Sequence, residues 1–359
     1  MRTEQRHLAY VDGLRAVAVL SVLGFHAGVA NDARAANWVM SGARGVDLFF
    51  VISGFCLAYP FLRGWRGGAP FRLDYGTYGG FLLRRFSRIA PPFYIVLTAF
   101  ALLALTPFGF PDAAHQVTTL ASGARDYFGD VVFFTTPSPL FNASFWTLGI
   151  EARWYLLCPL LIALYIRNRV AFFSLGALMY GLYFFSPFGI ADEGTLPCFM
   201  AGIVAADLAL RGHPWRRFAW IACALCLTAA FVSQSLNPER DLGDPIWHAA
   251  SFFFVVAGGS GVFARVLAWR PLAALGLASY SIYLIHGPVI ESLVQSGLPA
   301  ALAACAGLAC GIAGYRLIER PLARPAVRGS IENWFKWGVP PQPPGADSRA
   351  SPTATRVAR

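Results

Sequence analysis

The residues of this chain best able to do chemistry are a guanidinium and an imidazole in one apolar run, Arg15 and His26 within residues 10–29. A guanidinium holds phosphate or carboxylate through a planar fork of donors, and an imidazole takes a proton near neutral pH. On an α-helix their eleven-residue separation is about three turns, which sets both on one face about 16 Å apart along the axis. A charge in a helix that crosses hydrocarbon costs several kcal/mol unless it meets a wet or polar interior, so positions of this kind read as functional. The bland alternative is an arginine that snorkels to the interface and a histidine hydrogen-bonded inside a bundle.

Further polar groups interrupt other apolar runs. Asp12 lies one turn before Arg15 as a candidate partner, Asp47 opens the run 45–62, Glu151 and Arg153 sit in 144–166, and His286 sits in 272–294. Asp47 and Glu151 are candidates for a carboxylate that orients the His26 ring. Arg63, Arg66, Arg72, Arg84, Arg85 and Arg88 crowd the stretch before Pro91-Pro92, with Arg85 and Arg88 one helical turn apart. Such a cluster can hold the phosphates of a nucleotide-bearing donor bidentately, or anchor the chain to anionic lipid headgroups.

These groups need a membrane bundle to position them. The chain is 56% hydrophobic and 13% charged, against about a quarter charged in an ordinary soluble domain. The reading is an all-α, polytopic membrane protein with apolar segments at 10–29, 45–62, 90–108, 144–166, 170–187, 194–210, 217–236, 246–264, 272–294 and 298–318. A shorter run near 127–136 reads as re-entrant or interfacial. The first segment carries Asp12, Arg15 and His26 with no small-residue cleavage pattern after it, so it is expected to stay rather than act as a signal peptide. Of the 29 Lys and Arg, 23 fall on the side of the termini and 4 on the opposite side, which predicts cytoplasmic termini. The net charge of +10 is therefore a topology signal, and nothing supports nucleic-acid binding. Residues 1–329 read as one membrane domain, and 330–359, with Trp334, Phe335 and Trp337 followed by a Pro-rich run, as a disordered cytoplasmic tail that begins with an interface contact.

With this topology His26, Asp47, Glu151 and His286 gather toward the outer half, while Arg15 and the arginine stretch gather toward the cytoplasm. Two classes of function use such poles. A proton-coupled exporter would employ the carboxylates and histidines as a relay, but no internal repeat or matched pair of broken segments is visible. An enzyme would hold a polyanionic donor on the arginines and deprotonate an acceptor hydroxyl with a histidine. Ser53 and Ser260 lack the Gly-x-Ser-x-Gly elbow of a covalent serine enzyme. The seven cysteines read as packing residues; the Cys223-x-x-Cys226 spacing has no second pair to complete a metal site, so none is assigned.

Six stretches in order resemble the integral-membrane acyltransferase-3 family. They are Asp12-Gly13-Leu14-Arg15 with His26, Gly45-Val46-Asp47 through Ser53-Gly54-Phe55, Arg85-x-x-Arg88, Phe145-Trp146-Thr147-Leu148 with Glu151, Ser279-Tyr280-Ser281-Ile282-Tyr283-Leu284-Ile285-His286, and Ile318-Glu319-Arg320-Pro321. The resemblance covers nearly all of 8–325. It implies ten spanning helices in the inner (plasma) membrane, acyl-coenzyme A, expected as acetyl-coenzyme A, as cytoplasmic donor, and an essential histidine at His26. It further implies donor contacts for Arg15, Arg85 and Arg88. The implied acceptor is a hydroxyl of an extracytoplasmic glycan or lipid-linked glycan, with a small molecule such as a macrolide as the alternative. Some members carry an extracytoplasmic hydrolase-like domain; this sequence shows none, so direct transfer or a separate extracytoplasmic partner is expected. Acceptor contacts would lie in the largest outer loop, roughly 106–144.

Overall fold

The computed structural model describes residues 2–31, 41–71, 73–104, 120–133, 141–185, 191–212, 214–236, 245–325 and 327–329. Among them there is no strand. The helices are α1 (Arg2–Ala30), α2 (Gly45–Arg66), α3 (Tyr75–Ala104), α4 (Leu120–Val131), α5 (Trp146–Arg167), α6 (Arg169–Phe185), α7 (Ala191–Arg211), α8 (Ala219–Leu236), α9 (Pro245–Gly258), α10 (Gly261–Leu267), α11 (Arg270–Leu277), α12 (Ser279–Gln295), α13 (Ala300–Gly314) and α14 (Arg320–Leu322). The tail from 330 and the loop stretch 105–119, both given expectations above, lie outside the described residues.

Among the described residues seven helices are long and apolar enough to cross a membrane, and up to nine spans result if each of two bent pairs is counted once. The bent pairs correct two expected continuous segments. Residues 246–264 divide into α9 and α10 at an angle of 91°, and 272–294 into α11 and α12 at 70°. The first break follows from Gly258-Gly259-Ser260-Gly261, where Gly261 takes φ 58°, a conformation that ends a right-handed helix. The expected segment 170–187 forms α6, an apolar helix of 17 residues, shorter than the seven. The 12-residue α4 is too short to cross and is tied to α3 by Tyr94 Oη donating to Val131 O at 2.9 Å and by a Thr98–Tyr127 hydroxyl contact of 2.9 Å. A further correction concerns the arginine stretch: Arg84, Arg85 and Arg88 are not in a loop but on α3, which begins at Tyr75 and continues through Pro91 and Pro92. Pro91 and Pro92 lack the N–H groups that would bond Ser87 O and Arg88 O, and Tyr280 donates to the next carbonyl, Ile89 O, at 2.8 Å.

The helix α1 is the hub, in contact with α2, α10, α11, α12 and α13. Leu14, Ala16, Ala18 and Val19, which point to more than one side of its axis, have no exposure. Tight crossings depend on small residues, because helices in lipid associate through close packing rather than through exclusion of water. Asp47, Val51 and Gly54 lie at i, i+4 and i+7 on the face of α2 that meets α7. A Cβ at Gly54 would strike Phe199 O, and one at Gly202 would strike Val51 O. The same device brings α11 to α1, where a Cβ at Gly276 would strike Asp12 O. At one end of the bundle Asp207, 1% exposed, collects Arg66 Nε at 2.7 Å, Tyr165 Oη at 2.8 Å, Arg211 Nε at 3.0 Å and Arg169 Nη2 at 3.4 Å, which ties together α2, α5, α6 and α7.

Candidate active site

A cavity of about 120 Å³ opens between α1, α2, α3, α5, α11 and α12. Arg15, Arg85, Arg88 and Glu151, four residues singled out from the sequence, share its wall. The arginines come from two helices: Arg15 from α1, with Arg85 and Arg88 one turn apart on α3. Arg15 and Arg85 both act on Arg88 as like charges, so the three guanidinium groups form one positive field. Arg15 Nη1 is paired with Asp12 Oδ1 at 3.1 Å and its Nη2 donates to Cys56 Sγ at 3.5 Å, which fixes the fork toward the cavity. Arg88 is exposed along this wall, so its donors are accessible to a bound anion.

A second, wider cavity of about 430 Å³ shares Leu57, Arg85 and Arg88 with the first and adds Arg84 and Arg328. Arg328 Nη2 donates to Arg84 O at 3.0 Å. The two spaces therefore meet at Arg85 and Arg88, with positive side chains on both sides of the junction. Arg328 stands in no motif of the first reading; its one sequence signal is its place after the last span.

The carboxylates take different partners from those expected. Glu151 Oε1 accepts from Ser53 Oγ at 2.7 Å and from Tyr155 Oη, a local cluster of α2 and α5 inside the cavity. Glu319, quoted in a motif but given no role, lines the same cavity and accepts from Ser281 Oγ at 2.6 Å. It sits in a π-helical turn, Tyr315–Glu319, which re-aims the side chain where a regular helix would carry it past. Asp47 does not join them. Its face of α2 is the one that packs on α7, and its oxygens lie 3.8 Å from Arg44 Nη1 and 3.7 Å from His248 Nε2.

His26 stands beyond the cavity wall, beside His286. Their rings are 4.9 Å apart at 74°. Nδ1 of His286 lies 2.9 Å from Ile282 O and 3.0 Å from Tyr283 O, a position in which it donates; Nε2 is then the acceptor nitrogen of the neutral ring, and it is buried without a hydrogen bond. His26 Nε2 is 3.5 Å from Ser144 Oγ. Asn142 caps the turn that holds Ser144, accepting from Ser144 N at 2.8 Å while its Nδ2 donates to Leu284 O at 2.7 Å. Between the histidines and the cavity stand Tyr283 and Thr147, whose hydroxyls are 2.6 Å apart. Thr147 donates to Ser144 O at 3.1 Å, and the Tyr283 ring lies 5.8 Å from that of His286. An arginine-walled chamber and a histidine pair thus flank one Tyr–Thr partition, with α1 carrying a member of each. Tyr155, Tyr280 and Tyr283 add neutral donors to this chamber beside Ser53, Thr147 and Ser279; the sequence signal for two of the tyrosines was the Ser279–His286 stretch.

No solved structure matches the chain. Among curated proteins, peptidoglycan O-acetyltransferase OatA of Listeria monocytogenes is 25% identical over 382 residues, covering 93% of this chain and 58% of the relative. O-acetyltransferase OatA of Staphylococcus aureus is 25% identical over 361 residues, covering 89% of this chain and 58% of the relative. YrhL of Bacillus subtilis, provisionally named a peptidoglycan O-acetyltransferase, is 28% identical over 326 residues, covering 79% of this chain and 49% of the relative. The chain spans about half the length of these relatives. The family model described as an acyltransferase domain matches residues 8–315, the stretch that holds both cavities' arginines up to Arg88 and both histidines, and the chain belongs to that family.

Proposed function

We propose that this chain is an inner-membrane O-acyltransferase that moves an acetyl group from cytoplasmic acetyl-coenzyme A to a hydroxyl of an extracytoplasmic glycan. The observation that carries the reading is the division of α1 between two chemistries, Arg15 in the cationic chamber and His26 in the histidine pair beyond Tyr283. In this reading α6 and the two bent pairs complete ten spans, both termini face the cytoplasm, and residues 1–329 form the catalytic membrane unit. The wide cavity receives the donor's nucleotide phosphates on Arg84, Arg85, Arg88 and Arg328, and the pantetheine arm passes along the narrow chamber toward Tyr283. The acceptor hydroxyl approaches from the side of Ser144. Its oxygen attacks the thioester carbonyl carbon as its proton passes to His26; the C–S bond breaks, and the coenzyme leaves as a thiol once the proton is returned to sulfur. Movement of the Tyr283–Thr147 partition brings donor and acceptor together.

The activity named for the Listeria relative, peptidoglycan O-acetylation, supports a glycan acceptor, with peptidoglycan the first to test and a lipid-linked glycan the next. A separate extracytoplasmic partner that completes the transfer is part of the proposal. Inverted membrane vesicles given radiolabelled acetyl-coenzyme A test it. The expected result is loss of the thioester, free coenzyme A thiol and label in lumenal glycan; vesicles containing the chain that leave the thioester intact with acceptor present contradict it.

A further inference from the structure

Three buried side chains that the proposed reaction does not use converge from three helices: Asp47 of α2, Cys198 of α7 and His248 of α9. Asp47 and Cys198 are 0% exposed and His248 is 3% exposed. One carboxylate oxygen, the thiol sulfur and one imidazole nitrogen all lie within 4.8 Å of one another. Neither Asp47 oxygen has a hydrogen bond, and neither has His248 Nε2, although all are buried. A buried carboxylate and an imidazole nitrogen without hydrogen bonds cost free energy, which calls for a group that satisfies them.

We infer that this cluster is a site for one zinc-class divalent cation, held by Asp47 Oδ1, the Cys198 thiolate and His248 Nε2. The spacing discriminates between a cation and direct bonding. Asp47 Oδ1 and His248 Nε2 are 3.7 Å apart, too far for a hydrogen bond. Ligand atoms on a tetrahedral zinc with bonds of about 2.0 Å to N or O and about 2.3 Å to S stand about 3.3–3.5 Å apart, so the Asp47–His248 pair already stands near that spacing, and Cys198 Sγ, within 4.8 Å of both, closes on the ion to complete the set. The donor set is mixed sulfur, nitrogen and oxygen, which suits zinc and excludes magnesium and calcium as preferred ions. The outer contacts also fit. Nδ1 of His248 is 2.6 Å from Tyr180 Oη, and donation there leaves the lone pair of Nε2 for a metal. Arg44, 3.8 Å from Asp47 Oδ2, takes the second carboxylate oxygen and leaves Oδ1 for the ion.

The cation's two charges meet one carboxylate and one thiolate, and Arg44 stays beside the second carboxylate oxygen. Binding displaces the Cys198 thiol proton to solvent, and a water completes four-coordination. The site clamps α2 against α7 and α9, on the face opposite the one that carries Phe49, Ser53 and Cys56 into the chamber. Cys223, whose spacing from Cys226 first suggested a metal, instead donates to Ala250 O at 3.7 Å.

The test is metal analysis of the full chain, purified in detergent without a polyhistidine tag and dialysed first against zinc chloride and then against metal-free buffer. About one zinc per chain is expected, falling about tenfold or more in Cys198→Ala and His248→Ala and unchanged in Cys226→Ala. Cobalt chloride in place of zinc should give the wild-type chain a thiolate-to-cobalt charge-transfer band in the near ultraviolet that Cys198→Ala lacks. If the variants fail to fold, the wild-type cobalt band decides. A folded wild-type chain with no retained zinc and no such band overturns the site, as does zinc that survives both ligand substitutions.

Discussion

The imidazole rings of His26 and His286, one on α1 and one on α12, meet edge to face with centroids 4.9 Å apart. They are not equivalent. His286 is fully buried with Nδ1 against two backbone carbonyls, whereas His26 is half-buried and faces the Ser144 hydroxyl. His286 is therefore a positioning residue for His26. His286→Ala is expected to lower kcat by about tenfold, short of the 10²–10⁴-fold that general-base catalysis supplies, with the donor KM unchanged. Steady-state kinetics separate the two parameters, and a donor KM that rises while kcat holds would move His286 into the binding machinery.

Removal of Arg85 or Arg88 should weaken donor binding more than it alters the chemical step. Both border the two cavities, and a guanidinium–phosphate contact made equally in ground and transition states raises KM with kcat nearly intact. Each alanine variant should lose about 1.5–3 kcal/mol of donor affinity. Unchanged affinity in both, with normal insertion, assigns the cluster to lipid headgroups.

Arg15→Lys keeps a cation and loses the planar fork. Asp12 and Cys56 hold the guanidinium by separate nitrogens, an arrangement that a single ammonium cannot copy. Most activity should disappear, read as initial rate at saturating acceptor. Wild-type turnover in the lysine variant reduces Arg15 to a salt-bridged partner of Asp12.

Asp207→Asn tests the fold rather than the chemistry. It leaves Arg66, Arg169 and Arg211 around a neutral amide at a buried point, and breaking a buried ionic network by one partner costs about 3–5 kcal/mol. The melting temperature in detergent should fall clearly, with donor KM unchanged in the protein that remains folded.

The sequence carried the helical class and four of the six candidate residues into one chamber, because arginines and a carboxylate in apolar runs have few other places to go. The Asp47 assignment to the His26 ring did not follow from the face it occupies. Its spacing from Val51 and Gly54 was legible in the sequence, but that this face meets α7 became evident only from the Gly54–Gly202 crossing. The bends at Gly261 and Ala278 escape mean hydropathy, which over 246–264 and 272–294 is the same for a straight helix and a broken one; the Gly258-Gly259-Ser260-Gly261 run was the legible sign of the first. Arg84, Arg85 and Arg88 read as a loop because Pro91-Pro92 suggests a helix start, whereas α3 runs through both prolines. The partition made by Tyr283 and Thr147 could not be read at all: each residue was visible in its motif, but their 2.6 Å contact joins α5 to α12 across 136 positions.

The central claim is that His26 removes the proton of an acceptor hydroxyl while the donor is held by other residues. The most direct measurement pairs donor affinity with single-turnover acyl transfer for purified His26→Ala. The account predicts acetyl-coenzyme A binding close to that of the wild type and a transfer rate lower by at least about 10²-fold. A folded His26→Ala chain that binds the donor and still transfers the acyl group at near wild-type rate contradicts it.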